Sequence, residues 1–263
     1  SIEVDGRGNT YVTAIYYDTV HFDSITKSGG GLSGSGYILW DLVVAKLSSS
    51  NIWDWVADAS GPESEYGFDL ALDGSGSVYL VGFFRGSSMF GSTTLSGTNR
   101  EAFVAKLSSG GNWLWAISAG GSGSDAAGQL APLPNGNFLV VGHFENSATF
   151  GTHSISSTGA ADTFAAEVDT GGSWISVRGP ADGAHGIGRD VVLDANGSSY
   201  VVGNFSGRAR FGSHLLTSTG GSDLFIARIS PLGAWEWVVG AGGNGDDLAR
   251  GIGLDGNGDL LVT

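Results

Sequence analysis

The sequence predicts an all-β fold built from repeated antiparallel units. Three observations predict it: abundant glycine, short β-rich runs between turn residues, and columns that recur about every 60 residues. Of 263 residues, 46 are Gly, against a usual share of roughly 7%. The glycines keep no strict three-residue period, so this is not a collagen helix. No segment holds a 3.6-residue apolar period over three turns, so no helix is predicted.

Composition excludes several classes. Hydrophobic residues make up 41% of the chain, with 8 Trp, 7 Tyr and 13 Phe. That is too apolar for a disordered chain. The 26 acidic residues outnumber 12 basic ones, for a net charge of -14. Such a balance argues against nucleic acid, whose phosphates need a basic patch. With no Cys, disulfide frameworks, thiolate metal sites and Cys nucleophiles are excluded. No apolar run approaches roughly 18 residues, so no membrane-spanning segment is expected.

Repeated columns organise the rest. Phe90-Gly91, Phe150-Gly151 and Phe211-Gly212 stand 60 and 61 residues apart, and Phe22-Asp23 precedes them. Leu72-Asp73-Gly74 answers Leu133-Pro134-Asn135, Leu193-Asp194-Ala195 and Leu254-Asp255-Gly256. Trp53, Trp113, Trp174 and Trp235 share one column; Trp55, Trp115 and Trp237 share another, with Ser176 as its exception. The units are residues 1–67, 68–128, 129–188 and 189–249, with a partial unit at 250–263. The first carries a longer insertion around Gly29–Gly36.

The second unit shows the elements in order. Asp69 to Asp73 is a short strand closed by the turn Asp73-Gly74-Ser75-Gly76. Val78 to Phe84 is the second strand, and Arg85 to Asn99 is expected to be a long Gly/Ser/Thr loop. Glu101 to Leu107 is the third strand, Ser108 to Asn112 a turn, and Trp113 to Ser118 the fourth strand. Four antiparallel strands in about 60 residues match one blade of a β-propeller. A β-solenoid is the alternative, but its rungs run nearer 20–30 residues.

The string from Leu72 to Gly82, followed by Phe90-Gly91-Ser92, Phe103 to Leu107, Trp115-Ala116 and Gly120-Gly121, resembles the bacterial seven-bladed β-propeller repeat family. The resemblance covers the whole chain. It implies a secreted or cell-surface bacterial protein, often part of a larger chain. Four full copies and a half unit predict a piece of a longer, about seven-bladed ring, with further blades of the same chain as partners.

Several features are weighed for chemistry. The Asp turns at Asp5, Asp73, Asp194 and Asp255 suggest calcium through hard oxygen ligands. The alternative is a hairpin turn whose Asp accepts backbone N–H groups, and it is favoured because no specific calcium motif is present. No cofactor is therefore predicted. The acidic column Asp41, Glu101, Asp162 and Asp223 is expected to bond backbone N–H groups at the loop ends. The Trp columns read as packing between neighbouring sheets rather than as a sugar-binding stripe. His153 and His214 share a column on different units, and no zinc spacing exists.

The linking loops and the residues after them carry the binding-site expectation. These are Glu63, Glu65, Phe68, Asp125, Gln129, Asp182, His185, Arg189, Asp246, Asp247 and Arg250. Phe68, Gln129, Arg189 and Arg250 are read as one column, and the group is expected to ring a loop-rich channel mouth. The function expected is an extracellular or cell-surface scaffold, not an enzyme, that presents this face to a glycan or protein. The alternatives are a propeller polysaccharide lyase or glycoside hydrolase, and a calcium-stabilised stalk or assembly component.

Overall fold

A computed structural model describes residues 1–157, 161–181 and 185–263. Its regular elements are all strands, and among the described residues no helix is long and apolar enough to cross a membrane. The chain divides into two compact units, Ser1–Ala119 with Gly171–Ser173, and Gly120–Thr170 with Trp174–Thr263.

The first unit holds two four-stranded antiparallel meanders. One is Ile2–Val4, Thr10–Tyr16, Asp41–Leu47 and Trp53–Ala59, hydrogen-bonded in that order. The next is Glu65–Leu72, Val78–Phe90, Thr93–Leu107 and Trp113–Gly121, whose last two glycines belong to the second unit. The second unit repeats the order twice. Ala126–Pro132, Phe138–Phe144, Asp162–Val168 and Trp174–Arg178 form one sheet. His185–Leu193, Ser199–Ser206, Asp223–Ile229 and Trp235–Ala241 form the other. Ile252–Leu254 and Leu260–Val262 make a last hairpin.

The expected loop at Arg85–Asn99 is instead a hairpin. Val78–Phe90 runs through Arg85, shifts register there, and pairs Phe90 with Thr93. The same hairpin recurs at Thr19–Phe22 with Ile25–Ser28, Ser147–Phe150 with His153–Ser156, and Arg208–Phe211 with His214–Thr217. The Phe-Gly column explains it. Gly91, Gly151 and Gly212 adopt φ of 61°, 58° and 60°, and Asp23 takes 51° in their place. Asp tolerates this left-handed region better than most residues.

The preceding Phe is then buried. Phe90 lies 4.9 Å from Phe103 and 5.1 Å from Trp113 by ring centroids, the indole edge-on. Phe150 repeats this with Phe164 and Trp174, and Phe211 with Phe225 and Trp235. These rings anchor the core of each unit, alongside Leu80, Ala105 and Leu107 in the first and Val141, Val201 and Ile229 in the second. The first Trp column is therefore packing.

The second Trp column joins neighbouring sheets inside the first unit. Trp55 lies flat against Gly111, where a Cβ would meet the indole at 2.5 Å, and its Nε1 donates to the Ser109 carbonyl at 3.0 Å. Where the column reads Ser176, Arg178 takes over and covers Gly233 within the second unit, with its guanidinium donating to Ser176 at 2.9 Å.

Register corrects one alignment. The turn N–H to C=O bonds start from Asp5, Asp73, Leu133, Asp194 and Asp255, so Leu133 aligns with Asp73 rather than with Leu72. A β-bulge precedes each of three turns and leaves Phe68, Gly128 and Arg189 unpaired. The column is thus Phe68, Gly128, Arg189 and Arg250, and Gln129 falls one position later.

Candidate functional site

The Asp turns are closed by their own backbone. Asp73 Oδ1 accepts the N–H groups of Ser75 and Ser77 at 2.9 and 3.0 Å, and Asp194 Oδ1 does the same for Asn196 and Ser198. Asp5 adds Asn9 Nδ2 and the Tyr11 hydroxyl on its second oxygen. These bonds hold Asp5 down at about 2 and Asp73 and Asp194 below the usual carboxylate range, against the opposing effect of desolvation. The geometry is that of a side-chain-closed turn. Among the described residues no group of three or more His, Asp or Glu is arranged to hold a metal ion.

The expected binding residues part into several roles. Glu63 is exposed, Glu65 is fully buried, and Phe68 is 38% exposed and packs on Tyr66 and Phe83. Asp125 is also buried rather than loop-exposed; it accepts the Gly121 and Glu145 N–H groups at 3.0 and 3.1 Å. Asp246 and Asp247 accept from Ser222 and Gly243. His185 is exposed with Nδ1 3.2 Å from the Ala161 carbonyl, and Gln129 is half-buried. Arg189 and Arg250 hold the same column of successive repeats in the second unit, where the Ile252 N–H donates to Asp190 Oδ2 at 2.8 Å and sets the two segments side by side. Asp182 lies outside the described residues.

Of the expected residues, Glu63 lines a cavity of about 590 Å³ in the first unit; Glu65 and Phe68 stay outside its lining, Phe68 packing on the lining rings of Tyr66 and Phe83. The insertion that distinguishes this unit supplies Ser33 and Ser35 to its wall, and the residues just after it supply Tyr37 and Trp40. The connection between the two sheets supplies Glu63 and Ser64, the first strand of the next sheet supplies Tyr66, and its second strand supplies Phe83 and Arg85. Tyr66 stacks on Phe83 at 4.7 Å and 13°, and Arg100 covers Phe83 at 3.9 Å. Tyr17 meets Trp40 edge-on at 5.3 Å. Tyr37 is 74% exposed and Arg85 is exposed, so one aromatic ring and a cation are open to a ligand, with Trp40 and Tyr66 half-buried beside them.

Two buried carboxyls stand behind this wall. Asp41 and Glu65 have no exposed surface. Asp41 Oδ2 accepts the Gly30 N–H at 2.6 Å, the loop-end role expected for the acidic column. Asp223 likewise accepts from Thr219 at 3.0 Å. Glu65 lies against Asp41 and Ser88. Burial, then the Asp41 carboxyl, pushes Glu65 up to about 9, and burial raises Asp41. Burial in low dielectric disfavours the charged form of each carboxyl, and the charge of one disfavours that of the other, so Glu65 keeps its proton to higher pH. Backbone bonds tie the pair to the cavity: Glu65 N–H donates to the Trp40 carbonyl at 2.7 Å, and Trp40 N–H donates to Ser64 Oγ at 3.1 Å.

Sequence reasoning missed Tyr37, Trp40, Tyr66, Phe83 and Arg85. The available signal was the insertion itself, which is followed at once by Tyr37-Ile38-Leu39-Trp40.

No family model matches the chain, and no curated protein matches it. Among solved structures it is similar to a protein of unknown function from Bacteroides caccae, at 9% sequence identity, covering 82% of each chain, with a TM-score of 0.36.

Proposed function

We propose that this chain is a glycan-binding module whose site is the aromatic cavity of the first unit. One observation carries the reading: Tyr37, Trp40, Tyr66 and Phe83 share one concave wall with the charged groups of Glu63 and Arg85. Sugar rings present apolar C–H faces and a rim of hydroxyls. Aromatic rings take the faces, while a carboxylate and a guanidinium take the hydroxyls. A volume of about 590 Å³ is within the range of small-ligand sites.

Binding is favoured over hydrolysis. Glycoside cleavage needs two carboxyls roughly 5–10 Å apart that both reach the substrate. Glu63 is the single carboxylate among the residues lining this cavity, and Glu65 is sealed behind it.

We further infer that each four-stranded meander is a blade of a β-propeller, and that the protein works outside the cell or on its surface. The sheet order and the unit length of about 60 residues support the first inference. The family resemblance of the sequence supports the second.

A glycan array followed by calorimetry tests the binding reading. The wild type is expected to retain a set of oligosaccharides that the Trp40→Ala and Tyr66→Ala variants lose. If no glycan is retained, or if both variants bind as the wild type does, the cavity is not the site.

A further inference from the structure

We propose a second site, in the other compact unit: an oxyanion-binding site made by Arg189 and Arg250, which takes a carboxylate or phosphate group. It goes beyond the glycan reading and does not depend on it.

Arg189 is the extra residue of the β-bulge between Gly188 and Asp190. A bulge releases a side chain from the regular alternation of the strand and re-aims it. Arg189 is half-buried, and its Nε donates to Asn204 Oδ1 at 3.3 Å, which fixes the plane of the guanidinium. Asn204 is itself only 8% exposed, so the anchor is built into the sheet.

Arg250 occupies the same column one unit later and is exposed. Burial first, and then the charge of Arg250, pulls the Arg189 pKa down from its usual value. Arginine nevertheless stays charged in proteins. The Ile252 N–H on Asp190 Oδ2 at 2.8 Å sets the Arg250 segment beside the Arg189 bulge, so two like charges lie near each other in a chain of net charge -14.

The acid next to Arg189 in the chain is already committed to backbone groups. Asp190 uses Oδ1 on the Val191 N–H and Oδ2 on the Ile252 N–H, both at 2.8 Å. Asp246 and Asp247 are likewise bonded to backbone N–H groups. Among the described residues neither arginine forms an ion pair. Paired guanidinium forks fit the oxygens of a carboxylate or phosphate, and an anion between them would remove the like-charge cost.

Arginine Nε–Hε resonances of the isotope-labelled protein provide the test. Sodium phosphate and sodium malonate are titrated separately, with sodium chloride at matched ionic strength as the control. A saturable shift of the Arg189 resonance with phosphate or malonate, absent with chloride, is expected. Which of the two saturates first distinguishes a phosphate from a carboxylate ligand. Arg250→Gln should weaken that binding by about tenfold or more, as loss of a hydrogen bond to a charged group does. Arg250 is exposed, so this change leaves the fold intact, which the amide spectrum verifies. A linear response equal to that of chloride, or an unchanged affinity in Arg250→Gln, overturns the proposal.

Discussion

The backbone N–H of Glu65 donates to the carbonyl of Trp40 at 2.7 Å. That bond ties the backbone that carries a buried carboxyl to an aromatic wall of the cavity. Glu65 therefore acts on the fold, and through it on the site's shape, without touching a ligand.

The pH dependence of stability follows from Glu65. Its pKa is raised from 4.5 to about 9 on folding. Between these values the unfolded chain has released the proton and the folded chain has kept it. Stability is therefore fully present below about pH 4.5 and falls as pH rises toward about 9, by up to about 1.4 kcal/mol per pH unit. The turn carboxylates Asp5, Asp73, Asp194 and Asp255 have lowered values, so their contribution is lost in the opposite direction, as pH falls below 3.8. Thermal melts across pH 3–10 should place maximum stability on the mildly acidic side. Glu65→Gln should flatten the alkaline decline and raise the melting temperature at pH 8. An unchanged slope in this variant would refute the raised Glu65 pKa.

Phe90→Ala should destabilise the first unit by about 3–5 kcal/mol, the usual cost of deleting a buried Phe. Phe90 has no exposed surface and contacts both Phe103 and Trp113. Urea unfolding followed by tryptophan emission measures the loss. A cost under about 1 kcal/mol would mean that the hairpin tip is not part of the core.

Gly111→Ala should cost about 1–3 kcal/mol. Gly111 has a φ of 80°, and the added Cβ would meet Trp55 at 2.5 Å. Gly136 has a similar φ of 87° but nothing within 4 Å of an added Cβ. Gly136→Ala should therefore cost less, and the difference isolates the indole contact. Equal losses in parallel denaturant titrations would leave the Trp55 contact without energetic weight.

The unit length and strand number were legible because side chains in every sheet meet the same packing demand. Phe, Trp and turn Gly therefore recur. Details set by register were not. Leu133 looks like Leu72 in sequence, yet it sits where Asp73 sits, because the turn is set by backbone hydrogen bonds that tolerate a different residue at that position. The Arg85–Asn99 segment reads as a loop because it is polar and Gly-rich, but its edge pairing is backbone-made and its apolar anchor is mainly Phe90 with Leu95. Burial was equally hidden. Glu65 and Glu63 are alike on paper, and only packing under Ser88 and Asp41 separates a sealed acid from an exposed one.

Hydrogen exchange with and without the tightest oligosaccharide from the array tests the central claim most directly. The account predicts slowed exchange in peptides covering residues 33–40 and 62–66, the two segments that wall the cavity, with no comparable change in the second unit. Protection confined to other segments, or none at saturating oligosaccharide, would contradict it.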